Sequence, residues 1–209
     1  MNFVHINNVA IEILGYPLSY VELIGTLFGL VSVIFASRSN ILTWPTGIIN
    51  ELFLFLLFFQ IQLYADMFLQ VYFFIVTIYG WYSWKSSTRN FKVSYLNKSF
   101  RVYLISLVIL GTFIAGYFFS NIHIYLPNYF KNPAAYPFCD SFVLIASMVA
   151  TILLAKKKIE TWFLWMTIDV VCVFIYCNKQ IYFLSLEYVI FLGLAIYGLF
   201  NWRRLSSND

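Results

Sequence analysis

Seven apolar runs, each close to or beyond the length that crosses a bilayer, leave this chain little to build with except membrane-spanning helices. They extend from Ser19 to Ser37, Thr43 to Gln60, Leu63 to Trp84, Val102 to Phe119, Asp140 to Ala155, Thr161 to Cys177 and Ile181 to Trp202. A helical span needs about 20 residues, because the hydrocarbon core is about 30 Å thick and a helix rises about 1.5 Å per residue. Within lipid each segment must satisfy its own backbone polar groups, which selects helices. Pro45 falls in the first turn of the second run, where its missing N–H costs little. Only 11% of the residues are charged, against about 25% in a soluble domain. The expected fold class is therefore an all-α polytopic membrane protein with seven transmembrane helices and almost no water-facing mass.

The segments between the runs set the organisation. Residues 1–18 are too polar to span and are expected to lie at the membrane interface. Residues 19–84 and 138–202 each hold three spans, 102–119 a single span between them, and 203–209 a polar tail. Arg38, Lys85, Arg89, Lys92, Lys98, Arg101, Lys156, Lys157, Lys158, Arg203 and Arg204 would share one side, leaving only Lys131 and Lys179 on the other. Eleven against two places the C-terminus in the cytoplasm and the N-terminus outside. The net charge of +4 is thus explained by topology and does not call for nucleic acid. The first basic residue is Arg38, so no cleavable signal peptide is expected.

The sixth run carries the most pointed chemistry. Trp162, Trp165, Asp169 and Tyr176 stand at spacings of +3, +4 and +7, which at 100° per residue confines them to one stripe about 60° wide. Asp169 lies about 10 Å along the helix from Trp162, near the middle of a bilayer. A carboxylate there costs about 2.5–3.5 kcal/mol on insertion scales and is rarely turned to lipid. Two readings fit: a core aspartate paired to another helix, or a polar substrate site with two indole walls.

The chain also repeats itself. A shift of 118 residues, without a gap, lays Trp44 on Trp162, Gln62 on Gln180, Tyr64 on Tyr182, Ile78-Tyr79-Gly80 on Ile196-Tyr197-Gly198 and Trp84 on Trp202. Glu22 falls on Asp140 and Glu51 on Asp169. The fourth span separates the two triplets, so the halves run parallel in the membrane (3+1+3), an arrangement that recurs in transporters with the site near the midplane between halves. The counterpart stripe is Trp44, Gly47, Glu51 and Phe58, with Gly47 where the second half has Trp165. Gln70 is placed either to bond a ligand or to tie helices together. Asp66 lies nearer the outer end, and Glu187 needs a partner or a water-filled cavity.

Enzymatic chemistry finds no support. The spans contain no nucleophile–base pair and no metal-ligand spacing; His5 and His123 lie far apart, and Cys139, Cys172 and Cys177 are scattered among apolar residues. No cofactor is expected.

The segments L-T-W-P-T-G-I-I-N (Leu42 to Asn50), L-Y-A-D-M-F-L-Q-V-Y-F (Leu63 to Phe73) and I-Y-G-W-Y-S-W (Ile78 to Trp84), with the 3+1+3 plan, resemble the PnuC family of bacterial vitamin transporters. The pattern W-x-x-W-x-x-x-[N/D]-x6-[Y/W] of its nicotinamide riboside branch is present as Trp162, Trp165, Asp169 and Tyr176. The resemblance runs from about Tyr20 to Trp202. It implies a fold like the SWEET sugar transporters, a homotrimer, and facilitated diffusion of an unphosphorylated vitamin across the inner membrane, with a cytoplasmic kinase trapping the substrate. Thiamine and riboflavin are carried by relatives, so another vitamin of this class is the alternative to nicotinamide riboside. The indole faces suit a flat pyridinium cation. Asp169, Gln70 and Asn50, with Glu51 and Trp44 from the counterpart stripe, are the further expected substrate contacts.

Overall fold

The computed structural model describes residues 5–62, 64–86, 92–125 and 135–207; Met1 to Val4, Leu63, Arg89, Pro127, Lys131, Pro133, Asn208 and Asp209 lie outside them. The polar N-terminal segment is a β-hairpin of β1 (Val9–Ile13) and β2 (Tyr16–Ser19), so the expectation of a purely helical chain needs this correction. Apolar and polar residues alternate through this stretch, which favours strands, and both residues of its two-residue turn, Leu14 (φ 53°) and Gly15 (φ 78°), take the positive φ that a tight hairpin turn demands.

Helix α1 (Tyr20–Ser37) starts at Ser19, whose hydroxyl accepts from the Glu22 N–H at 3.3 Å. Then come α2 (Thr43–Gln60), α3 (Tyr64–Ser86), α4 (Lys98–Ser120), the single turn α5 (Ile122–Tyr125), α6 (Pro137–Ala155), α7 (Glu160–Asn178) and α8 (Tyr182–Ser207). Among the described residues, α1, α4, α6, α7 and α8 are long and apolar enough to cross a membrane. Helix α2 is diluted by Pro45 and by the polar Asn50, Glu51 and Gln60, of which Glu51 is buried. The expected tail is not a separate segment up to Ser207: α8 runs on through Arg203 and Arg204, good helix formers whose charge suits a helix C-terminus.

Helix α2 packs against both α1 and α3, and α7 against both α6 and α8; the two triplets meet where α1 touches α8 and α3 touches α6. Helix α4 lies on α6. The strand-like segment ahead of it docks on the α6–α7 turn: Ser94 N–H donates to the Lys157 carbonyl, Ile159 N–H to the Ser94 carbonyl (3.1 Å each), and Arg101 pairs with Glu160 at 2.7 Å. Helix α4 is thereby tied to the second triplet.

Several backbone details recur 118 residues apart. The left-handed residues closing α1 and α6 are Ser39 (φ 54°) and Lys157 (φ 50°); those closing α2 and α7 are Gln62 (φ 60°) and Gln180 (φ 59°). Such residues end helices by turning the chain back on its last carbonyls. The Thr43 hydroxyl donates to the Ser32 carbonyl (2.9 Å) as Thr161 does to that of Ala150 (2.8 Å).

Candidate substrate site

The basic end of the bundle is closed by four indoles. Trp44 meets Trp84 edge-on (5.1 Å, 89°), Trp162 meets Trp202 in the same way (5.5 Å, 86°), and Trp84 and Trp202 approach to 6.3 Å across the two triplets. The Trp84 N–H donates to the Ala155 carbonyl (3.1 Å) and the Trp202 N–H to that of Ala36 (3.0 Å), so each triplet's last tryptophan caps the other's first helix. The Lys157 ammonium sits 4.6 Å from the Trp84 ring centre; burial in the α6–α7 turn pulls its pKa down. Gly80 and Gly198 let this cluster form, because a Cβ on either would overlap the ring of Trp44 or Trp162.

Trp162 is therefore packed inside this cluster, as is Trp44, and the indole N–H of each is buried without a hydrogen-bond partner among the described residues. Trp165, one turn further along α7, is half-buried and bridges the indole cluster to a second core built from α4, α6 and α7 around Val108, Ala146, Ile168 and Cys172. Asp169 follows at 3% exposure, and no hydrogen bond or ion pair reaches its carboxyl among the described residues. Tyr176 completes the stripe at the far end, stacked on Tyr188 (5.4 Å, 10°). The stripe faces the interior throughout. Its two ends are spent on aromatic packing, and its middle, Trp165 and Asp169, is left with unused capacity.

The first triplet presents a second polar locus. Glu51 is buried; one carboxyl oxygen accepts from the Thr77 hydroxyl at 2.5 Å, and the other has no partner among the described residues. Gln70 is equally buried with its amide unbonded among the described residues, and it shares with Glu51 an open groove of about 180 Å³ lined also by Phe55, Phe74 and the exposed Leu52 and Val71. Asn50 is less available: its amide nitrogen donates to the Gly25 carbonyl on α1 at 2.9 Å, tying α1 to α2. Thr77 and Tyr188 were not legible as site neighbours. The repeat did contain a hint, since Thr77 aligns with Ala195 and so gives Glu51 a donor that Asp169 lacks.

An uncompensated buried carboxyl costs several kcal/mol, so Asp169 and the open oxygen of Glu51 are groups that a ligand's hydroxyl or amide donors would satisfy. Among the described residues, Lys and Arg stand only near helix ends and in the connecting segments, so the interior they enclose offers acceptors and aromatic faces but no positive charge to hold an anion.

The family described as Nicotinamide mononucleotide transporter matches residues 19–204. The chain is 34% identical to the nicotinamide riboside transporter PnuC of Escherichia coli (strain K12), over 97% of this chain and 94% of that protein. It is 23% identical to the riboflavin/roseoflavin transporter RibM of Streptomyces davaonensis, over 98% and 94%. Its fold matches the crystal structure of the vitamin B3 transporter PnuC with a TM-score of 0.69 at 20% identity, covering 91% of this chain and 83% of the other.

Proposed function

The chain belongs to the nicotinamide mononucleotide transporter family, which contains PnuC, and we propose that it carries nicotinamide riboside across the bacterial inner membrane by facilitated diffusion. The observation that carries this reading is the 34% identity, over nearly its whole length, to the Escherichia coli nicotinamide riboside transporter. The family description names the nucleotide, but the chemistry favours the nucleoside. Two buried carboxyls, with no interior Lys or Arg beside them among the described residues, would repel a phosphate dianion, whereas they suit a pyridinium cation with ribose hydroxyls. A cytoplasmic kinase that adds the phosphate would then keep the product inside.

The site combines Trp165 and Asp169 in the second triplet with Glu51 and Gln70 in the first. Trp162 and Trp44 form its floor at the basic end, Tyr176 its far limit, and Asn50 fixes α2 against α1. The two triplets are parallel repeats joined by α4, giving seven spans in a SWEET-like plan. The recurrence of helix-ending φ angles and Thr-to-carbonyl bonds at an offset of 118 supports this, as does the paired contact of α1 with α8 and α3 with α6. Three such chains assemble as a trimer. Thiamine or another vitamin is the alternative cargo; relatives extend to a riboflavin/roseoflavin carrier. Uptake of labelled nicotinamide riboside by cells lacking their own carrier, challenged with excess unlabelled nicotinamide riboside, thiamine or riboflavin, separates them: only the first is expected to compete strongly.

Two outcomes follow. A green fluorescent protein fused after Asp209 should fluoresce and a phosphatase there should be inactive, because the basic end faces the cytoplasm; an active phosphatase would reverse the orientation. If the Trp165 face holds the cationic ring, Trp165→Phe should keep part of the binding and Trp165→Ala should lose most of it, a loss of about 0.5–2 kcal/mol or more per contact. Binding to purified protein, with monodispersity checked, measures this; unchanged affinity in a folded Trp165→Ala variant would remove that indole from the site.

A further inference from the structure

The N-terminal hairpin lies at the end of the bundle opposite the four indoles, where α1 begins, α2 ends and α8 begins. It is fastened to the first triplet in several places. The Ile6 N–H donates to the Gln60 side chain at the end of α2 (2.9 Å), the Tyr20 N–H donates to the Asn8 carbonyl (3.2 Å), and Leu18 and Ser19 are fully or almost fully buried. The Tyr16 hydroxyl donates to the Glu22 carboxylate on α1 at 2.6 Å. Burial and this neighbouring carboxylate push the Tyr16 phenol well above its usual value, so it stays protonated and remains a donor.

Tyr16 also reaches across the seam. Its ring stacks on Phe183, in the first turn of α8, with centroids 5.4 Å apart and planes 9° from parallel. The two partners of Tyr16 therefore belong to different triplets. Glu22 stands on α1 of the first triplet, whereas Phe183 stands on α8 of the second. On the same two helices, Glu187 of α8 accepts a hydrogen bond from the Thr26 hydroxyl of α1 and lies within electrostatic reach of Glu22. The aromatic stack is thus a contact that holds the start of α1 to the start of α8 through the hairpin.

We propose that the hairpin is a clasp on the mouth remote from the basic loops, with Tyr16 as the part that releases. The Glu22 bond holds the ring in position, and the stack on Phe183 keeps α1 and α8 together until that mouth opens. This rests on the proposed transport function, and adds to it that the two triplets part at this mouth when it opens.

Thr26→Cys, in protein whose own cysteines are replaced, reports on the seam through its labelling rate with a membrane-impermeant maleimide. With the clasp intact, labelling is slow. Tyr16→Ala and Phe183→Ala should each raise the rate at least about 5-fold, and the double variant should not exceed the larger single effect, because both remove one contact. Tyr16→Phe keeps the ring but loses the Glu22 bond and should fall between. Should Tyr16→Ala fail to fold, Phe183→Ala and Tyr16→Phe carry the test. Equal labelling in all folded variants would overturn the clasp, as would fully additive effects. Nicotinamide riboside uptake by the unsubstituted protein is measured in the same liposomes. A chain that transports while its seam ignores Tyr16 and Phe183 loses the clasp alone; a chain that does not transport loses the function.

Discussion

Asp169→Leu should reduce nicotinamide riboside uptake to the level of cells without the carrier, while Asp169→Asn should still transport at a several-fold higher half-saturation concentration. Asp169 is 3% exposed and has no bonding partner among the described residues, so its acceptor capacity is free for substrate. Leucine leaves a substrate hydroxyl buried without a partner, at a cost of about 1–3 kcal/mol, and it also fills the site with an apolar branch. Asparagine retains a carbonyl acceptor. A hydrogen bond to a charged group is worth about 1.5–3 kcal/mol against about 0.5–1.5 for a neutral one, and the difference corresponds to roughly fivefold to tenfold in affinity. Uptake by a carrier-less strain, with membrane levels matched by blot, checks both variants. Equal inactivity of Asn and Leu would mean that the charge itself is required; full activity of both would make Asp169 a packing residue.

Gly198→Ala and Gly80→Ala should each lower thermal stability in detergent, while Gly193→Ala on the same helix as Gly198 should leave it unchanged or raise it. A Cβ at Gly198 would lie 2.7 Å from the Trp162 ring, and one at Gly80 would overlap Trp44. These rings are wedged by Trp202 and Trp84 and have nowhere to turn. Overpacking of this kind costs about 1–3 kcal/mol, or roughly 2–12 °C in melting temperature for a chain of this size. At Gly193 nothing lies within 4 Å of the added carbon, and alanine is the better helix former by about 1 kcal/mol. A melt followed by size-exclusion fluorescence distinguishes the three. Equal melting temperatures would mean that the indole cluster is loose, and the floor assigned to the substrate site would go with it.

The helices were readable because lipid leaves few alternatives to them, and the repeat because Trp44, Gly80 and Trp84 reappear at a fixed offset as Trp162, Gly198 and Trp202. The inward face of α7 was also readable, since periodicity fixes which residues share a side. What periodicity cannot give is the partner of each side chain. It grouped Trp162, Trp165, Asp169 and Tyr176 as equals, yet Trp162 is consumed by Trp202 and Tyr176 by Tyr188, contacts made by residues on another helix. Asn50 looked free for the same reason, its partner Gly25 being a backbone carbonyl that no sequence pattern marks. The hairpin escaped because its strands are only five and four residues long and their pairing is set by a two-residue turn with Leu14, not glycine, at its first left-handed position.

Transport without an energy source is the centre of this account, and purified protein in liposomes tests it most directly. Labelled nicotinamide riboside is added outside, with no ion gradient, no nucleotide and no kinase present. The account predicts entry that saturates with concentration and stops when the inside and outside concentrations are equal, and efflux from preloaded liposomes to the same end point. Entry no faster than in protein-free liposomes, or accumulation beyond equality, would contradict it.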